Sequence, residues 1–448
     1  MSRKETKFKQ TEVGMIPEDW EVKTINEFTI LQAGGTPSTL REEFWNGDIR
    51  WMNSGELNNK RIHDVAGRIT ELGLKNSSTH MIPSKCVLIG LAGQGKTRGT
   101  AAINYVSLCT NQSIAAIFPS KIHNSEYLYQ NINSRYDELR DLSSGDGGRG
   151  GLNLKILGNL LVPIPSLAEQ TAIATALSDM DHLIESLGKL IVKKKRVKQG
   201  AMQQLLTGKK RLPGFGPKAS PRSARNAKCA ASEPGFKQTE LGTIPEDWEV
   251  KNISKTCSIK ARIGWQGLKS TEYLRSGNYI LVTGTDFKNG FIDWSTCNYV
   301  SEWRFKQDKN IQIKKGDVLV TKDGTIGKVA FLNEIPMNGT LNSGVFVVRS
   351  KDNNAIDSVY LSLVFKSLWF DNFLDEITSG STIVHLYQKD FVKFNFPVPS
   401  SIEEQTAIAQ VLGDMDLEIQ SLEAKLAKYR KLKTGMMQQL LTGKIRLV

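Results

Sequence analysis

The sequence is poor in the residues that build covalent or metal-held frameworks. Its five cysteines (Cys86, Cys109, Cys229, Cys257 and Cys297) are scattered and form no CxxC pair. That spacing argues against a structural zinc site or a disulfide framework and fits reduced thiols in a cytoplasm. No apolar run approaches the roughly 18–20 residues needed to cross a bilayer. The polar opening MSRKETKFKQ carries no secretory h-region. Catalytic signatures are missing as well. There is no G-x-G-x-x-G after a strand, no HExxH, no NPPY or DPPY tetrapeptide and no convincing PD…(D/E)xK cluster. His63, His80, His123, His182 and His385 stand apart from one another, and each reads as a surface or core residue before a ligand or base. The absences describe a binder, with no catalytic residue, no metal site and no cofactor of its own.

What the chain does have is positive charge, unevenly placed. The formal net charge is +13 and the pI about 9.3. Residues 166–235 hold 13 Lys/Arg against 5 Asp/Glu, while residues 1–165 hold 19 against 17. A basic belt favours a polyanion such as nucleic acid. A solvated helix face or a flexible basic linker would give the same count.

The chain also repeats itself. EQTAIATALSDMD at 169–181 returns as EQTAIAQVLGDMD at 404–416, and MQQLLTGK occurs at 202–209 and 437–444. FKQTEVGMIPEDWEVK, residues 8–23, returns as FKQTELGTIPEDWEVK, residues 236–251. A period above 200 residues means a duplicated unit and not a solenoid. Each unit, roughly 8–212 and 236–448, runs short motif, variable domain, long helix. The expected segments are 1–165, the first motif and variable domain; 166–211, a central long helix; 212–235, a basic flexible linker rich in Pro, Gly, Ser and Ala; 236–399, the repeated motif and second variable domain; and 400–448, a C-terminal long helix. In the variable domains, runs such as KCVLIGLAG, SIAAIFP, GDVLVTKDGTIGKVAFL and SGVFVVRS read as short strands. Turn signals that include Asn289-Gly290 and Asp323-Gly324 divide them. Each domain reads as a compact α+β fold with a curved antiparallel sheet, and short helices fit at 125–142 and 355–376. The two domains share little identity beyond their frames.

The long segments carry a heptad seam. In the C-terminal copy Ile408, Leu412, Met415, Ile419, Leu422, Leu426, Tyr429, Lys433, Met436 and Leu440 are spaced by four and three in alternation. The central copy aligns Ile173, Leu177, Met180, Ile184, Leu187, Ile191, Lys194, Lys198, Ala201 and Leu205 with them. The apolar members of the two seams are natural partners. With a whole domain between them, an antiparallel coiled-coil pair with pseudo-two-fold symmetry is expected. The same stripe would also serve two amphipathic helices each packed on its own domain. A seam lysine costs stability but can fix register. About 38 residues at ~1.5 Å each span on the order of 55–60 Å, enough to hold two domains over one to two turns of B-DNA at ~34 Å per turn.

Residues 90–97, GLAGQGKT, match the phosphate-loop pattern G-x-x-x-x-G-K-[ST] in full. A real phosphate loop needs a helix directly after it. Arg98-Gly99-Thr100-Ala101-Ala102-Ile103 suits a strand better. A Gly-rich turn that projects Gln94, Lys96 and Arg98 is the preferred reading, with nucleotide binding as an alternative. A coiled-coil scaffold without a DNA role is a second alternative.

The repeated IPEDWEV, the EQTAIAxxLxDMD helix opening and the paired MQQLLTGK resemble the specificity subunit of type I restriction–modification systems. GGTPSTLREEFWNGDIRWMNSGELN (34–58) and RIGWQGLKSTEYLRSGNYILVTGTDF (262–287) are similar to recognition-domain openings of that family. The resemblance covers the whole chain. It implies two target recognition domains, each reading one half of a split double-stranded DNA target in the major groove, and two antiparallel helices that set their separation. It implies that the helices dock two methyltransferase subunits, which carry S-adenosylmethionine and modify adenine. Restriction subunits, which carry ATP and magnesium, complete the complex, and this chain is its non-catalytic, cytoplasmic reader. The recognition domains diverge within such families, so base-contacting residues are chosen here by chemistry. The first domain offers Thr36, Ser38, Asn53, Ser54, Gln94, Lys96, Arg98 and Arg149. The second offers Arg262, Trp265, Gln266, Lys269, Lys322, Lys328 and His385. Arg and Lys suit guanine O6/N7, while Gln and Asn suit adenine N6/N7. Most contacts in such interfaces go to the backbone, so fewer than half of these are expected to touch a base.

Overall fold

A computed structural model describes residues 7–93, 96–143, 151–216, 235–378 and 385–447. Gln94, Arg149 and most of the expected linker (217–234) lie outside the described residues, as does the side chain of Trp265. The chain packs into two units, Met1–Lys189 with Glu423–Val448, and Leu190–Leu422. These do not coincide with the sequence repeats, because each long helix contributes to both units.

Each unit holds one variable domain. In the first, a five-stranded sheet orders Leu31–Ala33, Ile114–Ile117, Val87–Gly90, Ala101–Asn104 and Arg61–Ile62. All its pairings are antiparallel except the last. Val87, Ile89, Ala101, Ile103, Ala115 and Ile117 enter one core cluster. Leu88, Ala102, Ile114 and Ala116, which alternate with them, enter another. The sheet is covered on both faces, which is why these strands read as unbroken apolar runs and not as a polar–apolar alternation. Helices at Ser125–Ser134 and Tyr136–Leu142 fall within the expected 125–142.

The second domain repeats the plan with Cys257–Ala261, Val345–Ser350, Val318–Thr321 and Val329–Phe331. Val318, Val320, Phe346 and Val348 face one core, and Leu319, Val345 and Val347 face the other. Asn289 and Gly290, both at positive φ, turn a two-residue hairpin between Phe287–Lys288 and Phe291–Ile292.

The long helices are Leu167–Leu205 and Ile402–Leu440, of 39 residues each. All twelve apolar seam residues proposed for pairing (Ile173, Leu177, Met180, Ile184, Leu187, Ile191, Ile408, Leu412, Met415, Ile419, Leu422 and Leu426) are buried or half-buried. In the first unit, Ile173 and Leu177 share a core with Leu440, Leu441 and Met436. In the second, Leu205, Leu206 and Ala201 share one with Ile408 and Leu412. Early residues of one helix meet late residues of the other in both units, so the paired segments run antiparallel. Among the described residues no helix is long and apolar enough to cross a membrane.

The repeated motifs meet at these helix ends. In the first unit Trp20 and Asp19 of the IPEDW motif, Glu169 of EQTAIA and Arg446 beyond the second LTGK form one cluster. Arg446 donates to both carboxylates, with Nη2 2.7 Å from Glu169 Oε2 and 2.8 Å from Asp19 Oδ2. Trp20 Nε1 donates to Glu169 Oε2 at 3.1 Å. The second unit builds the same cluster from Trp248, Asp247, Glu404 and Arg211. Gly443 and Gly208, both at positive φ, lie so close to Pro17 and Pro245 that a Cβ would collide with the proline ring. The neighbouring glutamine ties the helix start to its domain. Gln170 accepts from the Asn124 amide and donates to the Ile122 and Pro165 carbonyls. Gln405 does the same with Asp357, Ala355 and Pro399.

Candidate nucleic-acid interface

The end of each sheet remote from these helix anchors is built from loops on one hydrogen-bonded frame. In the first domain the Asn111 amide donates to the Met52 carbonyl at 3.0 Å, and the Ser113 amide to Asn111 Oδ1 at 3.2 Å. The Leu91 amide donates to the Ser113 carbonyl at 2.8 Å, and the Leu152 amide to the Leu91 carbonyl at 3.1 Å. The second domain answers bond for bond. The Asn342 amide donates to Val282 at 3.0 Å, and the Gly344 amide to Asn342 Oδ1 at 3.0 Å. The Lys322 amide donates to Gly344 and the Leu386 amide to Lys322, both at 2.9 Å. A capping box opens the helical turn beside each frame, Asn53 with Glu56 and Thr283 with Asp286. Two domains with little sequence identity therefore hold the same loops by main-chain bonds and short polar side chains, while the exposed side chains differ.

The structure gathers part of the expected contact set on this edge. Thr36 Oγ1 donates to Gln112 Oε1. Asn53 is exposed and follows Met52. Ser54 opens the capped turn, and Ser38 is exposed and accepts from Trp45 Nε1 through its carbonyl. Lys96 is exposed on the loop that leaves Leu91, and Arg98 is half-buried beside it. Lys322 and His385 meet at the corresponding edge of the second domain, where the His385 ring nitrogen pairs with Asp323 and the ring lies 4.3 Å from that of Tyr387. Lys269 is exposed on a separate turn.

Three residues are placed elsewhere. Arg262 is 2% exposed. Its guanidinium donates to the Leu341 carbonyl at 2.9 Å, Thr340 Oγ1 at 3.1 Å and Gln307 Oε1 at 3.3 Å. It follows Ala261, as Gly34 follows Ala33, and it fills an acceptor that the Gly35 amide fills, at Thr110, in the first domain. A buried guanidinium whose donors are engaged inside the fold cannot also read a guanine. Gln266, 6% exposed, is likewise inside the domain. Lys328 turns to the side of the domain that faces the central helix, where it lines a cavity of about 390 Å³ with Lys198, Lys366 and Asp416. Burial lowers the pKa of Lys366; the charge of Asp416 opposes that and the charge of Lys198 adds to it.

The phosphate-loop match ends in a turn at Arg98–Gly99 and then the strand Ala101–Asn104. The described residues that follow the match form that strand and not the helix that the motif requires directly after it. Among the described residues no group of His, Cys, Asp and Glu could hold a metal ion. Burial pushes the thiols of Cys86 and Cys297 up to about 12 and those of Cys109 and Cys257 up to about 11, which leaves little thiolate for chemistry.

Sequence reasoning missed how the helices are locked. Lys433 Nζ donates to Asp181 Oδ1 at 2.5 Å, and Lys198 Nζ to Asp416 Oδ1 at 2.5 Å. Each lysine is a seam residue, and each aspartate is the last residue of a repeated DMD. Arg61 and Gln130 also reach Asp181, at 3.2 and 2.8 Å, so the first domain is tied to the same carboxylate. The signal was present, because the seam lysines Lys198 and Lys433 recur at the same offset as the DMD motif.

Comparison with known proteins places this architecture. The family model for the type I restriction modification DNA specificity domain matches residues 17–193 and again 245–428. The type I restriction enzyme MjaVIII specificity subunit of Methanocaldococcus jannaschii is 26% identical over 99% of this chain and 97% of its own. The EcoR124I/EcoR124II specificity subunit of Escherichia coli is 31% identical over 40% of this chain and 44% of its own. Among solved structures, the S subunit of a type I restriction–modification system from M. genitalium shares the fold, with a TM-score of 0.59 and 16% identity over 97% of this chain and 98% of that one. The chain belongs to the type I restriction–modification DNA specificity family and carries its domain twice.

Proposed function

We propose that this chain is the DNA-reading subunit of a type I restriction–modification complex and that each variable domain reads one half of a bipartite target. The observation that carries the reading is the loop frame at residues 91, 111–113 and 152, repeated at 322, 342–344 and 386 under different exposed side chains. A fixed frame with variable tips suits two domains that perform one task on two sequences. The helices, each on the order of 58 Å long at ~1.5 Å per residue, act as the spacer between the half-sites.

The helices also dock two methyltransferase subunits. Asp179 and Asp414, Gln203 and Gln438, and Lys209 and Lys444 are identical between the copies and exposed in both. Identity at exposed positions has no packing cause and suits one kind of partner bound twice. S-adenosylmethionine then belongs to those partners, ATP and magnesium belong to the restriction subunits, and this chain contributes specificity without catalysis, in the cytoplasm. Mapping methylated adenines in cells that carry the complete system tests the reading. A split motif with a fixed gap is expected. A continuous motif, or one unchanged when residues 248–399 are exchanged for another recognition domain, would refute it.

A further inference from the structure

The frame fixes the backbone on both sides of one residue in each domain. Asn111 is held to Met52 and its side chain caps the Ser113 amide, so Gln112 sits at the apex between two anchored neighbours. Ser343 occupies the same place between Asn342 and Gly344. Gln112 is exposed and contributes nothing to the core. Its amide is nevertheless oriented, because Thr36 Oγ1 donates to Gln112 Oε1 and so turns the Nε2 hydrogens outward. Nε2 has no hydrogen-bond partner among the described residues. Asn53 lies next to this apex, since its neighbour Met52 accepts from Asn111. The loop that carries Lys96 is tied to Ser113 through Leu91. A primary amide held on a rigid apex between loops presents a donor and an acceptor side by side, the pattern complementary to adenine N6 and N7 in the major groove.

We infer that Gln112 is a base-reading residue of the first half-site, held by Thr36 as a positioning residue, and that Ser343 is its counterpart in the second. The inference rests on the reading that both domains bind duplex DNA. Ser343, with one short hydroxyl, makes a weaker and less selective contact than a bidentate amide.

The test uses the full chain assembled with its partner subunits and a randomised duplex library, with the selected sequences read out. If the wild-type complex selects no bipartite motif, the two-domain reading itself fails. Given a bipartite motif, Gln112→Ala should lose about 5- to 150-fold discrimination at one base pair of one half-site, with the other half-site unchanged. Gln112→Glu should shift that position from adenine toward cytosine, because a carboxylate accepts from cytosine N4. Thr36→Val should weaken the same position less. Ser343→Ala should act only on the other half-site. A Gln112→Ala motif identical to wild type at every position overturns the proposal. Uniform loss across all sequences also overturns it, since that marks a phosphate contact. Melting temperatures that match the wild type show that any change in the motif does not come from misfolding.

Discussion

Replacing Arg446 with methionine should destabilise the first unit by about 3–5 kcal/mol. The Glu169 side chain is 1% exposed, and three donors reach its carboxylate, two from Arg446 and one from Trp20 Nε1. Methionine keeps much of the arginine stem's volume but removes both charged donors, which leaves a buried carboxylate on one indole N–H. The 22% exposure of the Arg446 side chain lets water approach, which favours the lower end of the range. The second carboxylate, Asp19, is 65% exposed, and its loss adds at most about 1 kcal/mol. Urea unfolding followed by tryptophan fluorescence reads the effect, because Trp20 packs against the guanidinium, 5.8 Å from its ring centroid. The double variant Arg446→Met with Glu169→Gln should recover much of the loss, since a neutral amide does not carry the cost of an unpaired buried charge. Arg211→Met should behave alike in the second unit, where Arg211 is 8% exposed and Glu404 2%. A loss below about 1 kcal/mol in both single variants, or no recovery in the double variant, would show that the repeated motifs do not lock the helix ends by this charge cluster.

Trp20→Phe should cost about 1–3 kcal/mol more than Trp248→Phe, because Trp20 Nε1 is bonded to Glu169 while Trp248 Nε1 is buried with no hydrogen-bond partner among the described residues; denaturant midpoints compare the two. Gly443→Ala and Gly208→Ala should each cost about 2 kcal/mol or more, through positive φ and the proline behind the new Cβ, and differential scanning calorimetry measures the loss. Lys198→Met should cost about 1.5–3 kcal/mol and Lys433→Met less, because Asp181 keeps Arg61 and Gln130 while Asp416 has no second hydrogen-bond partner among the described residues. Burial alone would raise the pKa of Asp181, but Lys433, Gln130 and Arg61 together hold it below the usual value. Its stabilisation is therefore complete above the unfolded value of about 3.9 and is lost as pH falls through the lower folded value. Asp181→Asn should flatten the acid limb of the stability profile in that window, and an unchanged limb would contradict it.

Much of the fold was legible because it is written twice. Two motifs repeated at an offset of 235 and a third at 228 announce the duplication, and a four–three spacing over ten seam positions announces paired helices. All of those positions are buried or half-buried. The sheets were legible from apolar runs, but their short parallel pairings, such as Arg61–Ile62 with Ala101–Asn104, were not, since two residues leave no periodic signal. The interface was legible only in part. Residue chemistry selected Thr36, Asn53 and Lys322, which the frame brings to the exposed edge. It also selected Arg262, which is buried because a neighbouring carbonyl needed a donor, and no local sequence feature records that need. Gln112 escaped notice because its setting depends on Thr36, 76 residues away.

The contacts also explain why the frames are kept nearly identical while the middles diverge. IPEDW and EQTAIA of one half meet the LTGK end of the other half within each unit, so a change in any of the three must suit residues drawn from two repeats. Asp19, Glu169 and Arg446 in one unit are matched by Asp247, Glu404 and Arg211 in the second. If the two copies drifted apart, each cluster would have to be re-solved separately. The reading loops carry no such obligation. They bond to one another and to their own sheet, at the end remote from Gln170 and Gln405. Substituting their exposed tips leaves the helix anchors untouched, so one scaffold can hold new side chains without a new fold. Arg262 shows the limit of that freedom. A residue of the divergent segment that turns inward becomes part of the frame, and its variation is then constrained by the core it satisfies.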